Sequence, residues 1–252
     1  MMQNLRQTAW YVGDLVGIPL FLHWTVLLLA YNAWRMAGGS GGGIDSFIIV
    51  LVVLLIGIVL HELGHGLMAR ALGARGLTIT LWAFGGLCES RRDSSKLGHE
   101  IAIVAAGPVV SLALWLGSDW LLNYLAHVRP ALIIGPGGLT MLGEFLAVSS
   151  SINFLLLLFN MMPIFPLDGG QLTFYTLLAV TRNHLLARKI SLFLAVIGVI
   201  AVFLWATGFF TAMSSPDPVG TWMQKMGGDL PGTLLTLVLL FLVLRSAFTY
   251  LY

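Results

Sequence analysis

The chain has 252 residues, of which 58% are hydrophobic and only 10% are charged, and its mean hydropathy is +0.92. Several uncharged stretches are long enough to cross about 30 Å of hydrocarbon, so the composition predicts an integral membrane protein. The net charge of +2, with basic residues scattered between apolar runs, argues against a nucleic-acid partner, and the single cysteine, Cys88, excludes an intrachain disulfide.

The apolar pattern predicts an all-α polytopic membrane protein with about six transmembrane helices and a small β-hairpin insert. The predicted spans cover residues 18–36, 44–70, 97–126, 141–162, 190–213 and 231–251. Residues 77–92 are rich in β-branched and aromatic side chains and predict a short hairpin or strand pair. Gly107-Pro108 predicts a kink, and the short apolar piece 171–181 is expected to be re-entrant or interfacial.

Six spans place both chain termini on one side of the membrane, and most basic residues fall on that side. These residues are Arg6, Arg70, Arg75, Arg91, Arg92, Lys96, Arg182, Arg188 and Lys189. The positive-inside rule therefore predicts cytoplasmic termini and a cell (inner) membrane location. No convincing small-residue cleavage site follows the first apolar run, so we interpret that run as a retained span.

The sequence His-Glu-Leu-Gly-His occupies residues 61–65, at the end of an apolar run. Ionisable groups at membrane depth are costly to desolvate and need a partner, for which a metal ion is suited. On a helix, His61 and His65 lie one turn apart on one face, where both imidazoles can reach one Zn²⁺. Glu62 is then placed as a base for zinc-bound water. A chance match to HExxH in this composition has a probability of roughly 0.2%.

A catalytic zinc usually takes three protein ligands, so a third ligand is expected elsewhere in the chain. The ionisable candidates in or beside apolar segments are His23, Asp45, His99, Glu100, Asp119, His127, Glu144 and Asp168. Asp168 is favoured because it follows a helix whose end, at Asn160, lies ~28 Å along its axis and nearly level with His61. His23 is interpreted as a bundle-packing or second-shell histidine.

The chain resembles the site-2 proteases, a family of zinc metalloproteases that cleave substrates within the membrane. Two separated motifs carry the resemblance: the HELGH segment at 61–65, and residues 160–170, which are similar to the family pattern NxxPxxxLDGG. Weaker similarities are Ile18-Pro19, His23-Trp24-Thr25, Phe84-Gly85-Gly86 and Ala106-Gly107-Pro108. Their order and spacing make the resemblance more specific than HExxH by itself.

The resemblance implies that His61, His65 and Asp168 ligate one zinc per chain and that Glu62 activates the water. It also implies that Asn160 is a polar neighbour of the site, and that Gly85 and Gly86 belong to an extended segment that supports the substrate. Ser111 stands where family members often have Asn, which is expected to weaken any polar bridge from that position without affecting the catalytic set.

The expected organisation is a single membrane-embedded protease domain over residues 1–252, with a three-helix catalytic core at about 44–172 and no PDZ or CBS domain. The expected activity is hydrolysis of peptide bonds in transmembrane segments of membrane proteins, within the lipid bilayer. A divalent-metal transporter or channel and a catalytically silent partner-binding relative are the alternatives. The substrate and the oligomeric state stay open, and residues 212–230 are interpreted as a connection between helices.

Overall fold

Long apolar helices dominate the computed structural model, which describes residues 8–39, 43–83, 85–91 and 96–206. The helices in this part of the chain are α1 (Leu27–Gly39), α2 (Ile44–Ala71), α3 (Leu97–Val128), α4 (Met141–Asn160), α5 (Asp168–Thr181) and α6 (His184–Ala206). Four of them, α2, α3, α4 and α6, are long and apolar enough to cross a membrane. The protein is therefore an integral membrane protein. Its chain divides into two compact units, residues 1–158 and 159–252.

The first unit contains a four-stranded sheet with strand order β1-β2-β3-β4. Its strands are β1 (Ala9–Leu15), β2 (Ile18–His23), β3 (Arg75–Trp82) and β4 (Gly85–Arg91). The β1/β2 and β3/β4 pairs are antiparallel hairpins, whereas β2 and β3 are parallel, with Leu20 opposite Ile79. A second hairpin, β5 (Ile134–Gly135) with β6 (Gly138–Leu139), lies in the connection between α3 and α4.

The structure confirms the predicted helices at 44–70, 97–126 and 141–162 to within two residues at each end, and it confirms the hairpin predicted at 77–92. Helix α3 continues through Pro108 without interruption. Helix α6 begins at His184, six residues earlier than predicted, because the Asn183 side chain accepts a hydrogen bond from the Leu186 amide and caps the helix. The predicted span 231–251, residues 207–213 of the fifth predicted span, and the connection 212–230 lie outside the described residues.

The predicted first span, residues 18–36, is not one helix. It consists of strand β2, a 3₁₀ turn at Trp24–Val26, and helix α1. The segment still runs along α2 in the opposite direction: Ile18 packs in one cluster with Ala69, and the buried Ala37 packs in another with Ile49. The strand was missed because its partner β3 lies more than 50 residues further along the chain, and the sequence pattern does not reveal such pairing.

Helix α2 carries two stripes of residues spaced four apart. Ile44, Ile48, Val52 and Ile56 are exposed apolar side chains on one stripe. The buried stripe contains Ile49, Val53, Gly57, His61 and His65. Side chains four apart lie on the same face of a helix, so the two histidines continue the face that α2 turns towards the protein. The exposed apolar stripe suits contact with lipid rather than water.

Close packing of α2 on α3 depends on Gly64. A Cβ atom at this position would lie 2.8 Å from the Ala106 carbonyl oxygen and 2.9 Å from a Val110 methyl group. Neither the Ala106 backbone nor the branched Val110 side chain can move easily at such a helix interface. Glycine at position 64 therefore allows the two helices to pack this closely.

We expect Gly64→Ala to lower the thermal unfolding midpoint of the detergent-purified protein, because overpacking a buried contact costs about 1–3 kcal/mol. Gly117→Ala on α3 is the matched control, since a Cβ atom there has nothing within 4 Å. The control should melt at or slightly above the wild-type temperature, because alanine is the better helix former. A Gly64→Ala protein that melts with the wild type would contradict this account of the interface.

Cys88 lies on β4 beside α2, and burial raises the pKa of its thiol to about 12, with the Glu62 and Glu89 carboxylates acting in the same direction. A raised pKa keeps the thiol protonated, and the thiolate is the reactive form. At pH 8 the thiolate fraction should therefore be about a thousandfold below that of a thiol with the ordinary value of 9.0.

We expect iodoacetamide to leave Cys88 largely unmodified in the folded protein at pH 8 and to modify it fully after denaturation. Because the chain contains one cysteine, mass spectrometry of the intact protein reports this site directly. Equal modification rates before and after denaturation would refute the expectation.

Candidate metal centre

His61 and His65 occupy one turn of α2, and their Nε2 atoms lie 3.2 Å apart. Both side chains are buried, with 3% and 8% of their surfaces exposed. The spacing of four residues brings the two rings to the same face of the helix, as the sequence predicts. Two imidazole nitrogens are therefore directed to a common point inside an apolar helix bundle.

Helix α3 provides a hydrogen-bond partner for the Nδ1 atom of each ring. His65 Nδ1 lies 2.7 Å from the Ile103 carbonyl oxygen, and His61 Nδ1 lies 2.9 Å from Ser111 Oγ. A carbonyl oxygen only accepts, so the proton of neutral His65 is on Nδ1 and its Nε2 carries the lone pair that a metal would bind. Partners of this kind orient metal-binding histidines and raise their basicity.

Gly107 on α3 makes room for the two rings. A Cβ atom at Gly107 would collide with the His65 ring and would lie 2.7 Å from His61 Nε2. The absence of a side chain lets the α3 backbone lie directly beside both nitrogens. The sequence predicts a kink at Gly107-Pro108, but the structural requirement at Gly107 is this clearance.

Glu62 follows His61 on α2 and is also buried. Strand β4 begins beside it: a Cβ atom at Gly86 would collide with the Glu62 side chain and would lie 2.7 Å from Oε1. Gly86 is opposite Leu81 in the β3/β4 ladder, and Gly85 has a φ of 122°, a conformation that favours glycine. The two glycines therefore allow the β3/β4 hairpin to approach the carboxylate closely.

In the second unit, Asp168 is the first residue of α5 and is buried. The two glycines after it allow the helix to begin tightly against the preceding loop. A Cβ atom at Gly169 would collide with the Met161 and Met162 carbonyls, and one at Gly170 would lie 2.7 Å from the Phe165 amide nitrogen. Asn160, the last residue of α4, is half-buried.

His61 and His65 in the first unit each offer an imidazole nitrogen, and Asp168 in the second unit offers a carboxylate oxygen. Two imidazole nitrogens and one carboxylate oxygen form a donor set typical of catalytic zinc. The buried positions, the engaged Nδ1 atoms and the clearance at Gly107 all fit a small cation with nitrogen and oxygen ligands.

His23, interpreted above as a bundle-packing or second-shell histidine, is hydrogen-bonded to two threonines within the first unit. Its Nε2 lies 2.8 Å from Thr8 Oγ1 and its Nδ1 lies 2.7 Å from Thr25 Oγ1, at the start of the 3₁₀ turn. The ring caps that turn by accepting from the Thr25 amide. The observed contact with His61 comes from Ser111, the position at which a weakened polar bridge is expected, whose Oγ lies 2.9 Å from His61 Nδ1. Its spacing from Gly107, one helical turn, was the available signal.

The chain is similar in sequence to several known proteins. Residues 49–132 and 136–205 match the family described as peptidase family M50. The Synechocystis protein sll0528 is 34% identical over 195 residues, which are 73% of this chain and 47% of that protein. Zinc metalloprotease MJ0392 of Methanocaldococcus jannaschii is 31% identical over 178 residues, which are 70% of this chain and 48% of that protein.

The chain thus spans about half the length of these curated relatives. The solved structure of the site-2 protease from Methanocaldococcus jannaschii matches with a TM-score of 0.57 and 21% sequence identity, over 94% of each chain. This likeness shows that the fold is shared. The family match covers more than half of the chain, so the protein belongs to peptidase family M50.

Proposed function

We propose that the protein is an intramembrane zinc metalloprotease that hydrolyses peptide bonds in transmembrane segments of membrane proteins. The observation that carries the proposal is the pair of imidazole Nε2 atoms 3.2 Å apart, with a buried carboxylate at the next residue, Glu62. Ionisable groups in such an apolar helix need a strong compensating interaction, and a divalent cation provides one. The name of the relative MJ0392, zinc metalloprotease, supports the same chemistry.

In this proposal His61, His65 and Asp168 hold one Zn²⁺. Zinc lowers the pKa of water towards neutrality and polarises a carbonyl group as a Lewis acid, so it supplies the activation that amide hydrolysis needs. His65 is held in the tautomer required of a ligand by the Ile103 carbonyl. Asp168 brings a negative charge that balances part of the charge of the cation.

Glu62 is the proposed general base. It takes a proton from the attacking water and delivers it to the nitrogen of the leaving amine, so one carboxylate acts in both halves of the reaction. Gly86 keeps the space beside the Glu62 carboxylate open. Burial of Glu62 in the helix bundle excludes bulk water, which would otherwise compete for its hydrogen bonds.

The substrate in this proposal is an unwound stretch of a transmembrane helix, because the hydrogen bonds and side chains of a helix shield its peptide bonds. Strand β4 is at the end of the order β1-β2-β3-β4 among the described strands, so it has an edge to which an extended peptide could pair. Such pairing would satisfy backbone groups that cannot stay exposed in lipid. Gly85, Gly86 and Asn160 are the residues proposed to support the substrate or the developing oxyanion.

The proposed location is the cell (inner) membrane, with both termini in the cytoplasm and all 252 residues forming one protease domain around a core at about 44–172. Arg70 at the end of α2 donates to the Val16 carbonyl at 2.6 Å. It belongs to the end of the first unit that also carries Arg75 and Arg91. This group of basic residues supports the orientation by the positive-inside rule.

We expect Glu62→Gln to keep about one zinc per chain and to lose cleavage by at least 10²-fold, because only the proton transfer is removed. His65→Ala and Asp168→Ala should lose zinc as well as cleavage. Elemental mass spectrometry of the detergent-purified proteins measures the metal, and a reconstituted transmembrane peptide with a helix-breaking centre measures cleavage.

Two outcomes would contradict the proposal. Wild-type protein that binds no zinc after reconstitution would overturn the metal assignment. Glu62→Gln protein that cleaves at the wild-type rate would overturn the assignment of the base.

Gly86→Ala should also reduce cleavage while leaving the zinc content unchanged, because the added methyl group displaces the Glu62 carboxylate rather than a metal ligand. Gly98→Ala is the control, since a Cβ atom there has nothing within 4 Å. Equal cleavage by the Gly86→Ala protein and the control would exclude the proposed contact from the catalytic arrangement.

A further inference from the structure

We propose that Ile164, in the loop before α5, and Gly198, on α6, are a positioning pair that holds Asp168 where it can bind the metal. This proposal rests on the function proposed above. All three residues belong to the second unit. The observation that carries the proposal is a close contact: a Cβ atom at Gly198 would lie 3.3 Å from Ile164 Cγ1 and 3.4 Å from Cδ1.

Helices α5 and α6 bring Gly198 back to the level of Asp168. Asp168 begins α5, which ends at Thr181, and α6 begins at His184. At ~1.5 Å of rise per residue, Asp168 and Gly198 are each about 20 Å from the turn that joins the two helices. The loop that precedes Asp168 therefore meets α6 at Gly198.

One face of α6 forms the seat for the Ile164 side chain. Ala195, Gly198 and Val199 are three and four residues apart, so they lie on the same side of the helix. Ile164, Ala195 and Val199 form one buried cluster, in which Ile164 has no exposed surface, and Leu167 packs against it. The loop is thus anchored on α6 by an apolar side chain four residues before Asp168.

The backbone between Ile164 and Asp168 leaves little slack. The Ile164 carbonyl accepts a hydrogen bond from the Leu167 amide at 2.9 Å, and the Leu167 carbonyl accepts one from the Gln171 amide at 3.2 Å, in the first turn of α5. A Cβ atom at Gly170 would lie 2.8 Å from the Ile164 carbonyl oxygen, so this turn packs directly on the loop. A shift of Ile164 relative to α6 is therefore passed to Asp168.

Such a shift matters because bonds from a metal to its ligands vary by only about 0.2 Å. A carboxylate that moves by more than this binds the cation less well, even though the carboxylate itself is unchanged. The Ile164 and Gly198 contact is apolar and touches no metal ligand. Its expected effect on the metal is therefore exerted through the position of Asp168.

The test is zinc affinity, measured by competition with a chromophoric chelator in detergent-purified protein. Ile164→Ala removes the anchor of the loop, and Gly198→Val pushes the loop away from α6. We expect each variant to weaken zinc binding by about 10-fold, as changes that disturb the support of metal ligands do. Ile164→Ala removes as many carbon atoms as Gly198→Val adds, so the double variant should recover to within about threefold of the wild type.

Two further measurements separate positioning from stability. Ala187→Gly removes a buried methyl group near the start of α6 and should lower the thermal unfolding midpoint, yet keep zinc affinity within about twofold of the wild type. Cobalt(II) in place of zinc reports the ligands themselves, because its visible spectrum depends on their number and kind. Ile164→Ala should shift this spectrum towards that of Asp168→Ala, whereas Ala187→Gly should leave it unchanged.

Ile164→Val paired with Gly198→Ala repeats the comparison with smaller changes, in case the larger ones prevent folding. The proposal would be overturned, and the proposed function left intact, by single variants that bind zinc as tightly as the wild type or by a double variant that binds no tighter than they do. Loss of the same affinity in Ala187→Gly would also overturn it, because the effect would then follow stability. Wild-type protein that takes up no zinc would overturn both.

Discussion

The dominant constraint on this structure is the cost of keeping imidazole and carboxylate groups inside helices that are otherwise apolar. His61, Glu62 and His65 lie on a helix that also carries a stripe of exposed isoleucine and valine side chains. Polar groups in such surroundings must find partners within the protein. The Ile103 carbonyl and the Ser111 hydroxyl provide them for both Nδ1 atoms, so each ring can direct Nε2 towards a cation.

Glycine residues, which have no side chain, shape the surroundings of these groups as much as the polar side chains do. Gly64 sets the separation of α2 and α3, Gly107 clears space for the two rings, and Gly86 clears space for Glu62. In each case a Cβ atom would meet backbone, or a side chain that must keep its position, so relaxation is difficult. Gly169 and Gly170 act in the same way where α5 begins against the preceding loop. The site therefore requires close backbone approach from several elements.

The features that the sequence predicted are local ones. An apolar run of more than 20 residues and two histidines four apart are visible without knowledge of any distant partner, which explains why α2, α3, α4 and the zinc motif were recognised. Strand β2 pairs with β3 across more than 50 residues, which no local pattern reveals, and β1 pairs in turn with β2. The same limit applied to Ser111: its contact with His61 joins positions 50 residues apart, and a substitution relative to a family pattern does not show what the new residue touches.

The unexpected strand β2 can be understood from the same constraint on polar groups in lipid. Helix α1 has 13 residues and is about 20 Å long, too short to cross the hydrocarbon alone, and strand β2 precedes it in the segment that runs antiparallel to α2. A strand beside a membrane helix would expose its backbone unless it were paired. Strand β2 is paired on both sides, by β1 and by β3. Strand β3 in turn pairs with β4, whose Gly86 packs against Glu62, so the sheet that contains β2 also forms a wall beside the proposed base.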